Sequence, residues 1–142
     1  MGSRTLGLDV GDRWIGVAIS DPTGLLATPL TVIQRTTERA DVDAVAETIR
    51  ERPVERVIVG LPRSLNGRVG QQAAKVQQFA GALAARLSVP LEFRDERLST
   101  VSAQRLMREA GTKKGKRKVR DDAAAAAVIL QSYLDETRDA TR

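Results

Sequence analysis

The sequence predicts a mixed α/β fold: a five-stranded sheet, three antiparallel strands followed by two parallel ones, with helices on both faces. Three observations carry this prediction. Two apolar runs flank a Gly-Asp-Arg turn near the start, and strand-like runs then alternate with segments of helical periodicity. The length of 142 residues suits one compact domain with a sizeable core and a single site. A meander followed by helical crossovers, in the order β-β-β-α-β-α-β-α-α, closes into such a sheet.

Thr5 to Val10 and Trp14 to Ser20 read as a hairpin turning at Gly11, Asp12 and Arg13. Leu25 to Gln34 is a third strand, which Pro29 confines to an edge because proline cannot donate to a ladder. From Glu38 to Glu51, Val42, Val45, Ala46 and Ile49 form one helical stripe that stops before Pro53. Arg56 to Gly60 is a short buried-type strand, followed by a loop through Pro62, Asn66 and Gly67. Val69 to Leu87 aligns Val76, Phe79, Ala80, Leu83 and Leu87 on one helical face. Leu91 to Arg94 is the fifth strand, and Ser99 or Thr100 caps a helix that Gly111 ends. A mobile basic loop at about 111–120 leads into a last helix, roughly Asp121 to Asp135.

Two absences prune the chemistry. With no histidine and no cysteine, the chain has no imidazole base, thiol nucleophile, His- or Cys-bound zinc, or disulfide. Proton transfer or metal binding must rest chiefly on Asp, Glu, Lys or Tyr, and hard oxygen ligands favour Mg²⁺ or Mn²⁺. No run approaches the roughly 18 apolar residues of a membrane span, and the first residues lack a signal peptide's apolar stretch. A soluble, cytoplasmic protein is expected. The net charge of +5 is unevenly spread: Arg108 to Arg120 holds seven basic residues and one acid. Such a segment suits a polyanion such as nucleic acid, although a solvated loop has the same composition.

Asp9 sits inside an otherwise apolar strand in LGLDVG, where a charge is costly unless paired, hydrogen-bonded or bound to a cation. Gly7 and Gly11 flank it and permit close approach to the backbone. Asp12 suits the turn better than Asp9 does. In FRDERLST, Asp95 and Glu96 follow a strand at the end where α/β folds place their sites; a surface ion-pair cluster with Arg94 and Arg97 is the bland alternative. In DDAAAAAVILQSYL, Asp122 shares a stripe with Ala126, Ile129, Leu130 and Tyr133 and faces the sheet, whereas Asp121 is rotated by one position and suits a cap. Acids at a helix start also serve the helix dipole.

Taken together, LDVGDRWIGVAISD, VGLPRSLNG, FRDERLST and DDAAAAAVILQSYL resemble the YqgF/RuvX family, described as pre-16S rRNA nucleases and Holliday junction resolvase homologues of the RNase H-like superfamily. The resemblance spans nearly the whole chain. It implies an RNase H-like fold and a metal-dependent nuclease whose acidic positions fall on Asp9, Glu96 and Asp122, with Asp121 the alternative for the third. Two Mg²⁺ or Mn²⁺ ions held there would activate water and neutralise a leaving oxygen. Arg13, Arg63, Asn66, Arg97, Lys113, Lys114, Lys116, Arg117 and Lys118 are the candidate contacts to nucleic acid. The alanines and the paired acids of the last motif depart from the family's usual pattern.

The expected substrate is pre-rRNA or a four-way DNA junction, and the expected state a monomer or a homodimer. Two other readings stay open. A DxG turn also opens actin-like and sugar-kinase folds, but those close two such domains on ATP, and the Gly111 to Arg117 segment misses P-loop spacing. A non-enzymatic nucleic-acid binder would use the basic segment alone; Trp14, Phe79, Phe93 and Tyr133 are too scattered to form a stacking platform.

Overall fold

A computed structural model describes residues 3–62, 70–95 and 117–140, with the backbone alone at 117–121 and 138–140. Strands β1 (Arg4–Val10), β2 (Trp14–Ser20) and β3 (Ala27–Gln34) form the expected meander. Helix α1 (Glu38–Arg50), strand β4 (Val54–Leu61), helix α2 (Gln71–Ala84), strand β5 (Leu91–Asp95) and helix α3 (Arg117–Ala140) follow. The sheet order is β3-β2-β1-β4-β5. The β1–β2 and β2–β3 pairs are antiparallel, and β1–β4 and β4–β5 are parallel. The fold class is the predicted one, and the helix expected after Ser99 lies outside the described residues.

Alternation along the strands divides the sheet into two unlike faces. Leu6, Leu8 and Val10, with Ile15, Val17, Val57 and Val59, pack against Val42, Val45 and Ile49 of α1 and Val76, Phe79 and Leu83 of α2. This is the main core, and the stripes read from the sequence supply it. The opposite face is lined by Ala18 and Ile58 and covered by Ala126, Ile129, Leu130 and Leu134 of α3. Small residues here let α3 lie close to the strands, so few large side chains hold it. Truncating Leu130, which is fully buried, to alanine costs about 2–5 kcal/mol.

β3 is an edge strand, as Pro29 requires, and its register against β2 shifts between Val17 and Ala18, next to that proline. The β2–β3 turn is organised by Asp21. Its Oδ1 accepts from the Leu25 and Leu26 amides at 2.8 and 3.0 Å, the Thr23 hydroxyl donates to its other oxygen, and Gly24 takes φ +76°. Thr37 caps α1, its hydroxyl accepting from the Ala40 amide at 3.1 Å.

Helix α3 departs from expectation at its start. It begins at Arg117, so 117–120 belong to a helix and not to the predicted loop. Arg and Lys are good helix formers, and propagation from a packed segment adds one hydrogen bond per residue fixed, which carries the helix through Val119 as well. Asp121 and Asp122 therefore lie beyond the first turn, which carries no acid. Asp121 is not the helix cap, and the helix dipole does not explain the acidic pair.

Candidate active site

The parallel strands β1, β4 and β5 end together, and their carboxyl ends bring Asp9, Gly60 and Arg94 towards one row. Asp9 pairs with Gly16 across the β1–β2 ladder. On the other side, Leu8 pairs with Val59, and the next step of that ladder sets Gly60 beside Asp9. Gly60 in turn pairs with Arg94. Residues paired across a ladder project to the same face. Asp9 thus projects towards α3 with glycine on both neighbouring strands, and it is half-buried.

Gly16 also sets the depth of α3. A side chain there would overlap the Asp122 carbonyl, and one at Gly7 would come within 2.8 Å of Leu130 Cβ. Helix α3 is thereby seated with the backbone of Asp122 directly over the residue that opposes Asp9. The structure brings these two acids to one end of the sheet, on the same face. Gly16 was not singled out from the sequence. Gly11, which was, meets only the Trp14 carbonyl, at 3.0 Å, and belongs to the turn.

Arg94 is turned to α3 as well. Its Nε and Nη2 donate to the Ser132 hydroxyl at 3.1 and 2.8 Å, and its Nη1 donates to Glu136 at 2.7 Å. That guanidinium holds the Glu136 carboxyl below its ordinary range. Arg94 thus ties β5 to α3, while Glu96 and Arg97, the other members of the alternative ion-pair cluster, lie outside the described residues. Asp95 ends β5 half-buried.

Glu96, Arg63, Asn66, Arg97, Lys113, Lys114 and Lys116 lie outside the described residues, as do the side chains of Arg117, Lys118 and Asp121. Arg13 is exposed at the tip of the hairpin. No group of three or more acids placed to hold a metal occurs among the described residues, which include two of the three candidate ligands. The donors present are carboxylate oxygens, and the ladder partners of Asp9 are glycines that add no side chain beside it. Both features fit a hard divalent cation. A cleft lined by Asp12, Arg35, Glu38, Asp41 and Lys75 opens on the opposite side of the sheet, between the hairpin turn and helices α1 and α2.

A mixed sheet in this strand order, with an acid on its central strand and a helix crossing that face, defines an RNase H-like fold. Solved structures agree: the Thermus thermophilus RuvC in complex with a Holliday junction substrate superimposes with a TM-score of 0.61 at 21% identity, covering 96% of each chain. The fowlpox virus resolvase in complex with Holliday junction DNA gives 0.53 at 15% identity, over 94% of this chain and 98% of that one. The chain belongs to the RuvX family, described as Holliday junction resolvase, whose model matches residues 3–136. It is 48% identical over 128 residues to a protein of Dehalococcoides mccartyi, covering 90% of this chain and 95% of the relative. A Chloroflexus aggregans protein is 48% identical over 134 residues, 94% of each. Both relatives bear the name "Putative pre-16S rRNA nuclease".

Proposed function

We propose that this protein is a metal-dependent nuclease that hydrolyses phosphodiester bonds in the maturation of the 5′ end of pre-16S rRNA. The observation that carries the reading is the seating of α3 on Gly16, which sets the backbone of Asp122 over the residue opposing Asp9. Family membership supports it, and so does the naming of relatives that share nearly half of their residues with this chain.

Asp9, Glu96 and Asp122 would hold the metal, with Asp121 the alternative for the third position. Two Mg²⁺ or Mn²⁺ ions held there would supply a water of lowered pKa and neutralise charge on the leaving oxygen. The chain itself contributes orientation. Asp9 is fixed on a central strand by ladders on both sides, and its glycine neighbours leave room for a phosphate. Arg13, Arg63, Asn66, Arg97 and the basic residues Lys113, Lys114, Lys116, Arg117 and Lys118 would hold the nucleic-acid backbone by phosphate contacts that carry no sequence information. Among the described residues no helix is long and apolar enough to cross a membrane, in keeping with a cytoplasmic role on ribosomal RNA.

Resolution of DNA junctions is the second reading, favoured by the family description and by the fold shared with junction resolvases. Two symmetric cuts would call for a two-fold dimer, whereas RNA trimming needs only a monomer. Purified protein with Mg²⁺ or Mn²⁺ is to be offered precursor RNA spanning the 16S 5′ end and a four-way DNA junction, with its mass in solution measured in parallel. Cleavage of the RNA by a monomer is the expected result. Failure to cut either substrate with either metal would remove the nuclease assignment.

A further inference from the structure

Asp41 is the one buried charged residue among those described, at 2% exposure. It lies in the first turn of α1, on the sheet face opposite Asp9, and the proposed chemistry makes no use of it. Its Oδ2 accepts from Arg35 Nε at 2.8 Å, and its Oδ1 accepts from the Thr36 amide at 3.0 Å and the Thr36 hydroxyl at 3.3 Å. Arg35 reaches further. Its Nη1 donates to the Gly11 carbonyl at 2.8 Å, its own amide donates to the Arg13 carbonyl at 2.8 Å, and its guanidinium stacks 5.1 Å from the centre of the Phe79 ring. The side chain is thus fixed by α1 and α2 and in turn holds the β1–β2 turn at Gly11, while the backbone amide of the same residue holds it at Arg13, on the other side of Asp12.

That turn is the end of the strand that carries Asp9. Gly11 is two residues beyond Asp9, and its amide closes the turn onto the Trp14 carbonyl at 2.9 Å. The ladder partner of Asp9 on β2 is glycine, so that partner adds no side chain to its restraint, and the backbone at the strand end contributes to holding it. A planar guanidinium with donors in a rigid fork can satisfy a carboxylate and a carbonyl together, which an ammonium cannot do in the same geometry.

We propose that Arg35, its guanidinium held by Asp41, is a positioning residue that fixes the end of β1 at Gly11 and hence the pose of Asp9, acting from the face opposite the site. The inference rests on the nuclease reading for its catalytic consequence and on geometry alone for its structural one. Positioning errors of this kind reduce turnover more than substrate binding, because phosphate contacts elsewhere retain the substrate.

Arg35→Lys is the informative variant, since Arg35→Ala leaves Asp41 buried without its partner and is at risk of unfolding. Arg50→Ala, which removes only an exposed pair with Glu47, is the control. Each protein is assayed well below its unfolding midpoint, with three readouts: kcat and KM on precursor RNA, Mn²⁺ affinity by calorimetry, and amide hydrogen exchange. Arg35→Lys is expected to lose about tenfold in kcat with KM within twofold of the parent, to bind Mn²⁺ several-fold more weakly, and to exchange faster at Gly11 than along β4. Parental kcat, with hairpin exchange no faster than that of β4, overturns the proposal. If the parent protein cuts nothing, the nuclease reading fails separately, and hairpin exchange and Mn²⁺ affinity alone decide the role of Arg35: faster Gly11 exchange upholds it and unchanged exchange refutes it.

Discussion

Gly16 opposes Asp9 across the β1–β2 ladder while the Asp122 carbonyl occupies the space a side chain at Gly16 would need. One missing methyl group therefore couples the two acids: it frees the flank of the first and sets the position of the second. Gly16→Ala must push α3 away, and overpacking against backbone costs about 1–3 kcal/mol. Gly7→Ala meets Leu130 Cβ at 2.8 Å and the Ala126 carbonyl at 3.1 Å, a milder overlap than at Gly16 and one turn or more further along α3 from Asp122. In thermal unfolding and in cleavage assays below the midpoint, Gly16→Ala is expected to lose far more activity than Gly7→Ala for a similar or modestly larger loss of stability. Parental activity in Gly16→Ala would show that the seating of α3 does not govern the site.

Removing charge without changing shape tests the acids one at a time. Asp9→Asn and Asp122→Asn are expected to lower kcat by at least roughly 100-fold, the upper end for residues that merely support a metal ligand. Binding of the same RNA to these variants, measured by a gel shift, should stay within a few-fold of the parent. Asp121→Asn should retain activity, because in the sequence Asp122 and not Asp121 shares the stripe of Ala126, Ile129, Leu130 and Tyr133. A dead Asp121→Asn beside an active Asp122→Asn would exchange the two assignments.

Much of the fold was legible because each strand is a short apolar run bounded by turn residues. The stripe Val42, Val45, Ala46, Ile49 is the buried face of α1, where the structure adds only Asp41. The start of α3 was not legible: Arg117 to Arg120 offers a charge run and no cap, and packing of the later turns extends the helix backward. Asp9 was visible because a lone acid in an apolar strand is a local anomaly. Gly16, Gly60 and Arg35 were invisible for the opposite reason. Each is ordinary in its own segment and acquires a role only through register or a long-range hydrogen bond. Asp41 even resembles a routine first-turn acid.

The β2–β3 turn gives a pH prediction. The Leu26 amide, followed by the Thr23 hydroxyl and the Leu25 amide, lowers the Asp21 pKa from 3.8 to about 2. A carboxylate depressed on folding contributes stability that is full above its unfolded pKa and lost as pH falls through the folded value. Asp21→Ala should therefore lower the unfolding midpoint at pH 7, with the gap to the parent closing between about pH 4 and pH 2. The group is fully exposed, so the effect is small and needs paired melts at several pH values. A gap that persists unchanged at pH 2 would assign the loss to turn geometry, with Gly24 at φ +76° the next position to test.

Charge outside the acids should govern affinity and not turnover. Between Arg108 and Arg120 seven basic residues face one acid, while the chain as a whole carries +5, so the remainder is close to neutral. Each phosphate neutralised on a single strand contributes about 0.7 to the slope of log affinity against log salt. Replacing Lys113, Lys114 and Lys116 by glutamine is expected to flatten that slope by about 2 and to raise KM at physiological salt. The same substitutions should leave kcat at saturating RNA nearly unchanged, because Asp9 and Asp122 are untouched. A fall in kcat with an unaltered salt slope would mean that these lysines act in the chemistry and not in holding the substrate.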